Sequence, residues 1–274
     1  MVDITSTMKL NDGHEIPRLG LGVFLIQNHE TCKRAVLTAL EAGYRHIDTA
    51  KVYENEEAVG EALRECGLAR EDIFVTTKLA IEDLANPHPE CEASLKRLGL
   101  DYVDLYLLHW PRDDYMVTAW EGLQELRDEG KCRSIGVSNW TVRRFEEGFF
   151  PHTDVIPSVN QVELHPFWTR TELADYCKQK GIAVECYSPL ARAERLDDPR
   201  LTAMADTYGK SPAQIMIRWS LQHDYIVIPK SSHPERIRQN GDVFDFEISA
   251  QDMQAIDAFN EDLVTLTYRP RGYY

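Results

Sequence analysis

The segment that decides the fold spans residues 101–111 and reads DYVDLYLLHWP. Residues 103–109 form a short, largely apolar run that ends in a histidine. Such a run is typical of a parallel strand covered on both faces, because a strand with one face in water would alternate apolar and polar residues. The segment therefore predicts an interior strand of an α/β protein, with His109 at its carboxyl end.

Seven other short segments complete a set of eight predicted strands: residues 19–23, 44–48, 73–78, 134–138, 158–162, 183–187 and 225–229. Amphipathic helical segments lie between them, and five of these end at a glycine that can take the left-handed C′ conformation: Gly43, Gly67, Gly99, Gly130 and Gly181. Eight alternating strand–helix units without a break in composition predict an α/β fold. We expect a single (β/α)8 TIM barrel, with residues 1–274 as one domain.

Further elements are predicted at both ends of the barrel. Residues 8–10 and 14–16 surround Asp12-Gly13 and indicate a β-hairpin, because Asp-Gly supplies the positive φ that a tight turn needs. Two helical segments, residues 199–208 and 211–223, both precede the eighth strand, so one of them is extra, and a last helix is predicted at residues 249–260. Ser249 is the expected N-cap of the last helix. Residues 264–274 are predicted to form a loop.

An open, doubly wound sheet is the alternative to the closed barrel. A dinucleotide-binding fold of that kind carries G-x-G-x-x-G after its first strand. Here the corresponding segment, residues 20–25, reads GLGVFL and lacks the third glycine. The closed barrel is therefore preferred.

The composition excludes several classes of protein. The chain has 274 residues and a formal net charge of −15, whereas a general binder of nucleic acid or anionic membranes needs a basic surface. Residues 1–7 lack the features of a signal peptide, and no apolar stretch is long enough to span a membrane. The six cysteines form no Cys-x-x-Cys pair, which favours a reducing compartment. We expect a cytoplasmic enzyme, although acidic surfaces also occur in salt-adapted proteins.

Four ionisable residues follow the predicted strands in the region where barrel active sites lie: Asp48, Tyr53, Lys78 and His109. An Asp–Lys pair would satisfy both charges at a site poor in water. An ammonium beside Tyr53 would lower the pKa of the phenol from about 10 and make it a proton donor near neutral pH. His109 could orient a carbonyl oxygen by a hydrogen bond. The set does not resemble a zinc site, so no metal is expected.

These segments resemble the motifs of the aldo-keto reductase superfamily. Residues 48–56 (DTAKVYENE), 75–79 (VTTKL) and 101–111 carry the resemblance, which extends along almost the whole chain. In that superfamily the tyrosine is the general acid, the lysine lowers its pKa, the aspartate holds the lysine and the histidine orients the carbonyl. The resemblance gives these roles to Tyr53, Lys78, Asp48 and His109.

A cofactor site is predicted from composition and then from the resemblance. Residues 229–240 form a basic patch of local charge +2 at the start of a helix, which suits a phosphate group. Residues 268–274 add a further +2 through Arg269 and Arg271. The resemblance implies NADPH/NADP+, held by these residues: Gly22, Val23, Ser138, Asn139, Gln161, Tyr187, Ser188, Leu190, Lys230, Ser231, Ser232, Arg236, Gln239 and Asn240.

The resemblance also implies which part of the cofactor some of these residues would bind. Ser138, Asn139 and Gln161 would bind the nicotinamide carboxamide, and Tyr187 would stack on the nicotinamide. The 2′-phosphate would bind to Lys230, Ser231 and Arg236.

The resemblance also implies a small-molecule carbonyl substrate. Phe24, Trp110 and Trp140 are the expected aromatic walls of its pocket, and Ala80, where many relatives have an aromatic residue, is expected to open one side. Short loops after His109 and Leu190 resemble those of bacterial 2,5-diketo-D-gluconate and methylglyoxal reductases. The expected substrates are therefore α-dicarbonyls and keto-sugars such as diketo-gluconate, reduced to alcohols by a monomeric protein.

Two other functions are kept as alternatives. A regulatory or sensor protein of the same fold would bind NADPH with little turnover, and a metal-dependent barrel hydrolase would need ligands that the sequence does not offer. NADPH oxidation with a panel of carbonyl compounds would separate the first alternative from the reductase, and sensitivity to chelators would reveal the second.

Overall fold

A computed structural model describes residues 3–267 of the chain. It begins with the antiparallel hairpin of β1 (Thr7–Lys9) and β2 (Glu15–Pro17), in which Lys9 pairs with Glu15. Gly13 in the turn has a φ of +94°, as the Asp-Gly signal predicts. The predicted C-terminal loop falls partly on residues 268–274, including Arg269 and Arg271, which lie outside the described residues.

Eight strands of residues 3–267 form one parallel sheet in which neighbours in sequence are neighbours in space. They are β3 (Leu21–Gly22), β4 (His46–Asp48), β5 (Phe74–Leu79), β6 (Val103–Leu108), β7 (Cys132–Ser138), β8 (Val159–Glu163), β9 (Ala183–Tyr187) and β10 (Ile226–Val227). Parallel bridges from Leu19 to Val227 and from Gly22 to Lys230 join the first strand to the last. The sheet is therefore closed, and the (β/α)8 prediction is confirmed.

Helices connect the strands along the outside of the barrel. They are α1 (His29–Glu41), α2 (Glu56–Glu65), α3 (Pro87–Leu98), α4 (Met116–Asp128), α5 (Thr171–Gln179), α6 (Pro199–Tyr208), α7 (Pro212–Gln222), α8 (Pro234–Gly241) and α9 (Ala250–Asp257). The glycines predicted to end five helical segments all have positive φ, between +67° and +98°. Ser249 caps α9 by accepting a hydrogen bond from the Asp252 N–H, as predicted.

The structure differs from the sequence prediction at both ends of the sheet. Segments 19–23 and 225–229 each form a strand of only two residues, because β3 and β10 meet through isolated bridges rather than a continuous ladder. Between β7 and β8 the chain forms a π-helix, Arg144–Phe149, where no helix was predicted. That residues 1–274 make one domain stays a prediction.

The hairpin covers one end of the barrel. Leu10 and Ile16 from the hairpin pack in one apolar cluster with barrel residues that include Phe74, Leu105 and Ile226. These residues lie toward the amino ends of their strands, so that end of the barrel is filled with side chains. Access to the interior is thereby left to the carboxyl ends of the strands, where barrel sites lie.

A close helix contact on the outside of the barrel depends on Gly60. A Cβ placed on Gly60 of α2 would lie 2.0 Å from the carbonyl oxygen of Leu98, the last residue of α3. Only hydrogen at this position allows the two helices to approach so closely. The packing of the second and third helices is thus set by one missing side chain.

Candidate active site

A cavity of about 820 Å³ opens at the carboxyl ends of the strands. Most of the site residues predicted from the sequence line it: Gly22, Phe24, Asp48, Tyr53, His109, Trp110, Ser138, Asn139, Gln161, Tyr187, Ser188, Leu190, Lys230, Ser231, Arg236, Gln239 and Asn240. These residues come from segments that follow seven different strands. The barrel therefore brings together side chains that are up to 218 positions apart in the sequence.

Lys78 lies behind the cavity wall and joins two of the predicted residues. Its Nζ is 2.8 Å from both carboxylate oxygens of Asp48, 2.8 Å from the carbonyl oxygen of Thr49 and 3.4 Å from Oη of Tyr53. The Lys78 side chain has no exposure to solvent. The Asp48 carboxylate and the Thr49 carbonyl oxygen satisfy the buried ammonium of Lys78. Its fourth neighbour is the hydroxyl group of Tyr53.

The segment that carries Tyr53 is fixed from both sides. It is a short 3₁₀ helix, Lys51–Tyr53, followed by Glu54 with φ +56°. Lys51 forms ion pairs with Asp83 and Glu90.

The buried amide of Asn55 donates to the carbonyl oxygens of Val23 and Ile26, at 2.9 and 3.2 Å. The loops after β3 and β4 are thus tied together, and the Tyr53 ring lies 5.0 Å from that of Phe24.

The expected lowering of the Tyr53 pKa is wrong for the structure. Burial and the negative charges of Asp48 and Glu185 raise the pKa of Tyr53 well above 10. The Lys78 ammonium lies close to the phenol, but it is already paired with the Asp48 carboxylate, and Glu185 adds a second acidic group that the prediction did not consider. Tyr53 is therefore a neutral phenol that holds its proton throughout the neutral range.

His109 is also neutral. Burial and the Lys78 ammonium keep the pKa of His109 well below 6.5. Its ring lies edge-on to that of Tyr53, with the ring centroids 5.7 Å apart, and its carbonyl oxygen accepts a hydrogen bond from Asn139 Nδ2 at 3.1 Å. The two rings thus present a phenol O–H and an uncharged imidazole to the same part of the cavity.

A chain of hydrogen bonds runs along the ends of the next three strands. Tyr187 Oη donates to Asn139 Oδ1 at 2.8 Å, and Ser138 Oγ donates to the carbonyl oxygen of Gln161 at 2.8 Å. Asn139 has a φ of +67°, which turns its side chain toward the cavity. The amide nitrogen of Gln161 donates to Asp48 Oδ2 at 2.7 Å and to Glu185 Oε2 at 2.9 Å.

Positive charge gathers at the cavity beyond β9 and β10. Lys230, Arg236 and Arg192 line it, and within residues 3–267 none of the three is in an ion pair with an acidic side chain. Partial burial and the Arg192 guanidinium lower the pKa of Lys230. Arg192 lies in a segment, residues 191–193, whose three residues all have positive φ although none is glycine. Unpaired cations and strained backbone are both typical of a ligand site.

Besides Lys78, four predicted site residues do not line the cavity. Trp140 has no exposed surface and packs against Phe145 and Phe149, with ring centroids 5.3 and 4.7 Å apart. The positive φ of Asn139 sends the chain away from the cavity, so the prediction of an aromatic wall at Trp140 is wrong. The other three are absent from its lining as well: Ala80 and Val23 are wholly buried in the protein, and Ser232 is partly exposed outside the cavity.

Arg192, Leu266 and Glu185 are among the residues of the site that the sequence did not predict. Arg192 follows a strand end but belongs to no charge run, and Leu266 lies far along the chain. Leu266 is held near the cavity because the Glu163 carboxylate accepts hydrogen bonds from the Thr265 and Leu266 N–H groups, at 2.8 and 3.2 Å. Glu185 lies within a strand. A glutamate within the apolar run 183–187 is the sequence signal that could have revealed a buried carboxyl group.

No cluster of His, Cys, Asp and Glu side chains in the described part of the chain has the arrangement of a metal site. Likewise, none of the helices between residues 3 and 267 is both long and apolar enough to cross a membrane.

Comparison with known proteins agrees with this geometry. Glyoxal reductase from Bacillus subtilis (strain 168) is 47% identical over 261 residues, which cover 94% of each chain. The crystal structure of an aldo/keto reductase from Brucella melitensis matches with a TM-score of 0.89 and 45% identity, covering 93% of this chain and 100% of the other.

A Bombyx mori aldo-keto reductase solved in complex with NADP matches with a TM-score of 0.88 and 37% identity, covering 97% of this chain and 96% of that one. The model of the aldo/keto reductase family matches residues 18–261. The chain therefore belongs to the aldo/keto reductase family.

Proposed function

We propose that the protein uses NADPH to reduce small aldehydes and ketones to alcohols, with Tyr53 as the general acid. The observation that carries the proposal is the contact of the Lys78 ammonium with the Tyr53 hydroxyl, at 3.4 Å, in a cavity that also holds unpaired cations. Family membership and a relative named glyoxal reductase support the reaction class.

The residues present fit NADPH. The cavity offers Lys230, Arg236 and Arg192 as partners for phosphate groups, and it lies against the amino end of α8, where free N–H groups favour an anion. Gln161 lines the same cavity, and no donor among residues 3–267 binds its side-chain oxygen, so this oxygen is available to a carboxamide. A structural relative was solved with NADP, which supports the same cofactor here.

In the proposed mechanism, the bound NADPH supplies a hydride to the carbonyl carbon. Tyr53 gives its phenol proton to the carbonyl oxygen, and its raised pKa keeps this proton in place until the oxygen becomes basic. The Lys78 ammonium then stabilises the phenolate, while Asp48 holds Lys78 in position. Neutral His109 orients the carbonyl by a hydrogen bond.

Small α-dicarbonyl compounds are the preferred substrates within this proposal, ahead of keto-sugars such as diketo-gluconate. The cavity surface near Tyr53 is largely apolar, with Phe24, Val52, Trp110 and Leu266 among its walls. A short dicarbonyl needs few polar partners beyond Tyr53 and His109, whereas a sugar chain would leave its hydroxyl groups facing these apolar side chains.

The proposal extends to a monomeric, cytoplasmic protein. The cytoplasmic location is supported by the six cysteines, all of which are unpaired, as expected in a reducing compartment. The monomeric state rests on the resemblance to short-loop relatives.

Tyr53→Phe tests the proposal. We expect the variant to lose at least about 100-fold in kcat for methylglyoxal and glyoxal, because it lacks the proton to be donated, yet to bind NADPH as well as the wild type does. NADPH oxidation measures the first quantity, and quenching of protein fluorescence by NADPH measures the second.

Tyr176→Phe is the matched control, since it removes a hydroxyl that binds Glu146 on the outside of the barrel. This variant should keep wild-type activity. Full activity of Tyr53→Phe would contradict the proposed acid. A wild-type protein that binds NADPH but oxidises it with none of the carbonyl compounds would instead be the sensor of the alternative function.

A further inference from the structure

A buried carboxyl group lies next to the proposed catalytic residues but has no part in the proposed reaction. Glu185 is a residue of β9 with no exposed side-chain surface. It is the direct cross-strand neighbour of Gln161 in the parallel ladder of β8 and β9. Burying a carboxyl group is costly, so its retention in the barrel interior calls for a specific contact.

That contact is with the amide of Gln161. The Gln161 Nε2 atom lies 2.9 Å from Glu185 Oε2 and 2.7 Å from Asp48 Oδ2. Both hydrogens of the amide are therefore used on acceptors inside the protein. If the amide were turned over, its oxygen would face the oxygens of Asp48, which are themselves acceptors of hydrogen bonds from Lys78. The observed orientation leaves the carbonyl oxygen of Gln161 for the cavity.

We propose that Glu185 is a positioning residue that fixes the Gln161 amide, so that its Oε1 accepts a hydrogen bond from the carboxamide NH₂ of the nicotinamide cofactor. This inference rests on the proposed use of NADPH. Glu185 would reach the cofactor only through Gln161, because Glu185 itself does not line the cavity.

The second oxygen of Glu185 supports a role in positioning over a role in packing. Glu185 Oε1 has no hydrogen-bond partner within residues 3–267, and the nearest basic atom, His46 Nε2, is 3.5 Å away. The Gln161 amide is therefore the one hydrogen-bond partner of the Glu185 carboxyl group within residues 3–267. Burial and the charge of Asp48 raise the pKa of Glu185 to about 8, so near pH 7 the group is a neutral acid. A glutamine at position 185 would have nearly the same shape as this neutral acid and would offer the Gln161 amide the same kind of acceptor, a carbonyl oxygen.

Two substitutions separate the acceptor from the bulk of the side chain. Glu185→Gln keeps an oxygen for Gln161, and Glu185→Met keeps the length but has no acceptor. The probes are NADPH and its 3-acetylpyridine analogue, in which a methyl group replaces the NH₂ of the carboxamide. Fluorescence titration gives the Kd of each, and circular dichroism checks that each variant is folded.

We expect Glu185→Met to weaken NADPH binding about fivefold, which corresponds to one hydrogen bond of about 1 kcal/mol, and to leave the Kd of the analogue unchanged. Glu185→Gln should bind both probes like the wild type. Gln161→Met should likewise lose the preference for NADPH over the analogue. The double variant Gln161→Met, Glu185→Met should bind NADPH no more weakly than either single variant, since both changes break the same contact.

Three results would overturn the inference. Equal weakening of NADPH and the analogue in Glu185→Met would mean a general structural role, and an unchanged preference for NADPH would mean that Gln161 keeps its orientation without Glu185. Loss of binding in Glu185→Gln would mean that the charge matters rather than the acceptor. A wild-type protein that binds neither probe would overturn the proposed function itself, before the variants are compared.

Discussion

At the scale of the residue, the interior of the barrel holds two ionisable side chains that are uncharged near pH 7. Burial and the Lys78 ammonium lower the pKa of His46 to about 3, and burial with the charge of Asp48 raises that of Glu185 to about 8. Asp48 and Lys78 remain as the charged pair of the interior. The buried cluster of His46, Asp48, Lys78 and Glu185 is thus tolerated because two of its four members, His46 and Glu185, are neutral.

This arrangement predicts how stability depends on pH. Folding raises the pKa of Glu185 from 4.5 to about 8, so between these values the folded state binds a proton that the unfolded state releases. Glu185 therefore contributes stability that is fully present below pH 4.5 and is lost as the pH rises through 8, at up to about 1.4 kcal/mol per pH unit. Urea denaturation of wild type and Glu185→Gln between pH 5 and 9 measures the difference.

As the pH increases, the free energy of unfolding of Glu185→Gln should rise relative to that of the wild type. The other buried groups, Asp48, Lys78, His46 and Tyr53, are present in both proteins and largely cancel in the comparison. Parallel curves would show that Glu185 is ionised in the folded protein at every pH tested.

Single residues also mark the limit of what the sequence could predict. The four strand-end residues were found because each follows an apolar run, and the structure brings them together. The direction of the Tyr53 pKa and the place of Trp140 could not be found in this way. The first depends on burial of the phenol and on the charges of Asp48 and Glu185, of which Glu185 is 132 positions away, and the second depends on the backbone angle of Asn139. A short sequence motif reveals neither the charge of a residue far along the chain nor the backbone angle φ of a neighbouring residue.

At the scale of the element, the contact between α2 and α3 is the most restrictive. Gly60→Ala should lower the free energy of unfolding by about 1–2 kcal/mol. The added methyl group would stand 2.0 Å from the Leu98 carbonyl oxygen, and this overlap outweighs the gain of about 1 kcal/mol in helix propensity. Chemical denaturation measures the change.

Glu57→Ala is the control for that experiment, because Glu57 lies on the same helix and is exposed. It should change the free energy of unfolding by less than about 0.5 kcal/mol. A Gly60→Ala variant as stable as the wild type would mean that the two helices separate at little cost.

Elements were predicted best where the pattern is local. The N-cap at Ser249, the C′ glycines and the hairpin turn each depend on a few neighbouring residues, and all were found at the predicted places. The lengths of β3 and β10 were overestimated, because an apolar run shows that a segment is buried but does not show how many of its N–H groups meet a partner strand.

At the scale of the whole molecule, the charge distribution distinguishes between cofactors. A chain of net charge −15 carries Lys230, Arg236 and Arg192 at one cavity. NADPH should therefore raise the Tm more than NADH at equal concentration, because only NADPH has a 2′-phosphate. Added KCl should narrow the gap by screening. Thermal melts with each cofactor measure the effect.

Arg192→Ala should reduce the rise in Tm caused by NADPH by about 2–4 °C, the effect of about 1 kcal/mol in a protein of this size. Arg195→Ala is the matched control, since Arg195 lies three residues further along the chain but is paired with Glu261. If the two variants respond alike, Arg192 has no contact with the phosphates.

Closure of the barrel also has a consequence for the order of folding. The bridges between Leu19 and Val227 and between Gly22 and Lys230 join residues more than 200 positions apart, whereas every other pair of adjacent strands is close in sequence. Contacts of such high contact order carry the largest loop-closure entropy and form late. Gly22 and Lys230 both line the cavity. The binding site is therefore completed only in the final step of folding, and any ligand that spans it holds the two ends of the sheet together.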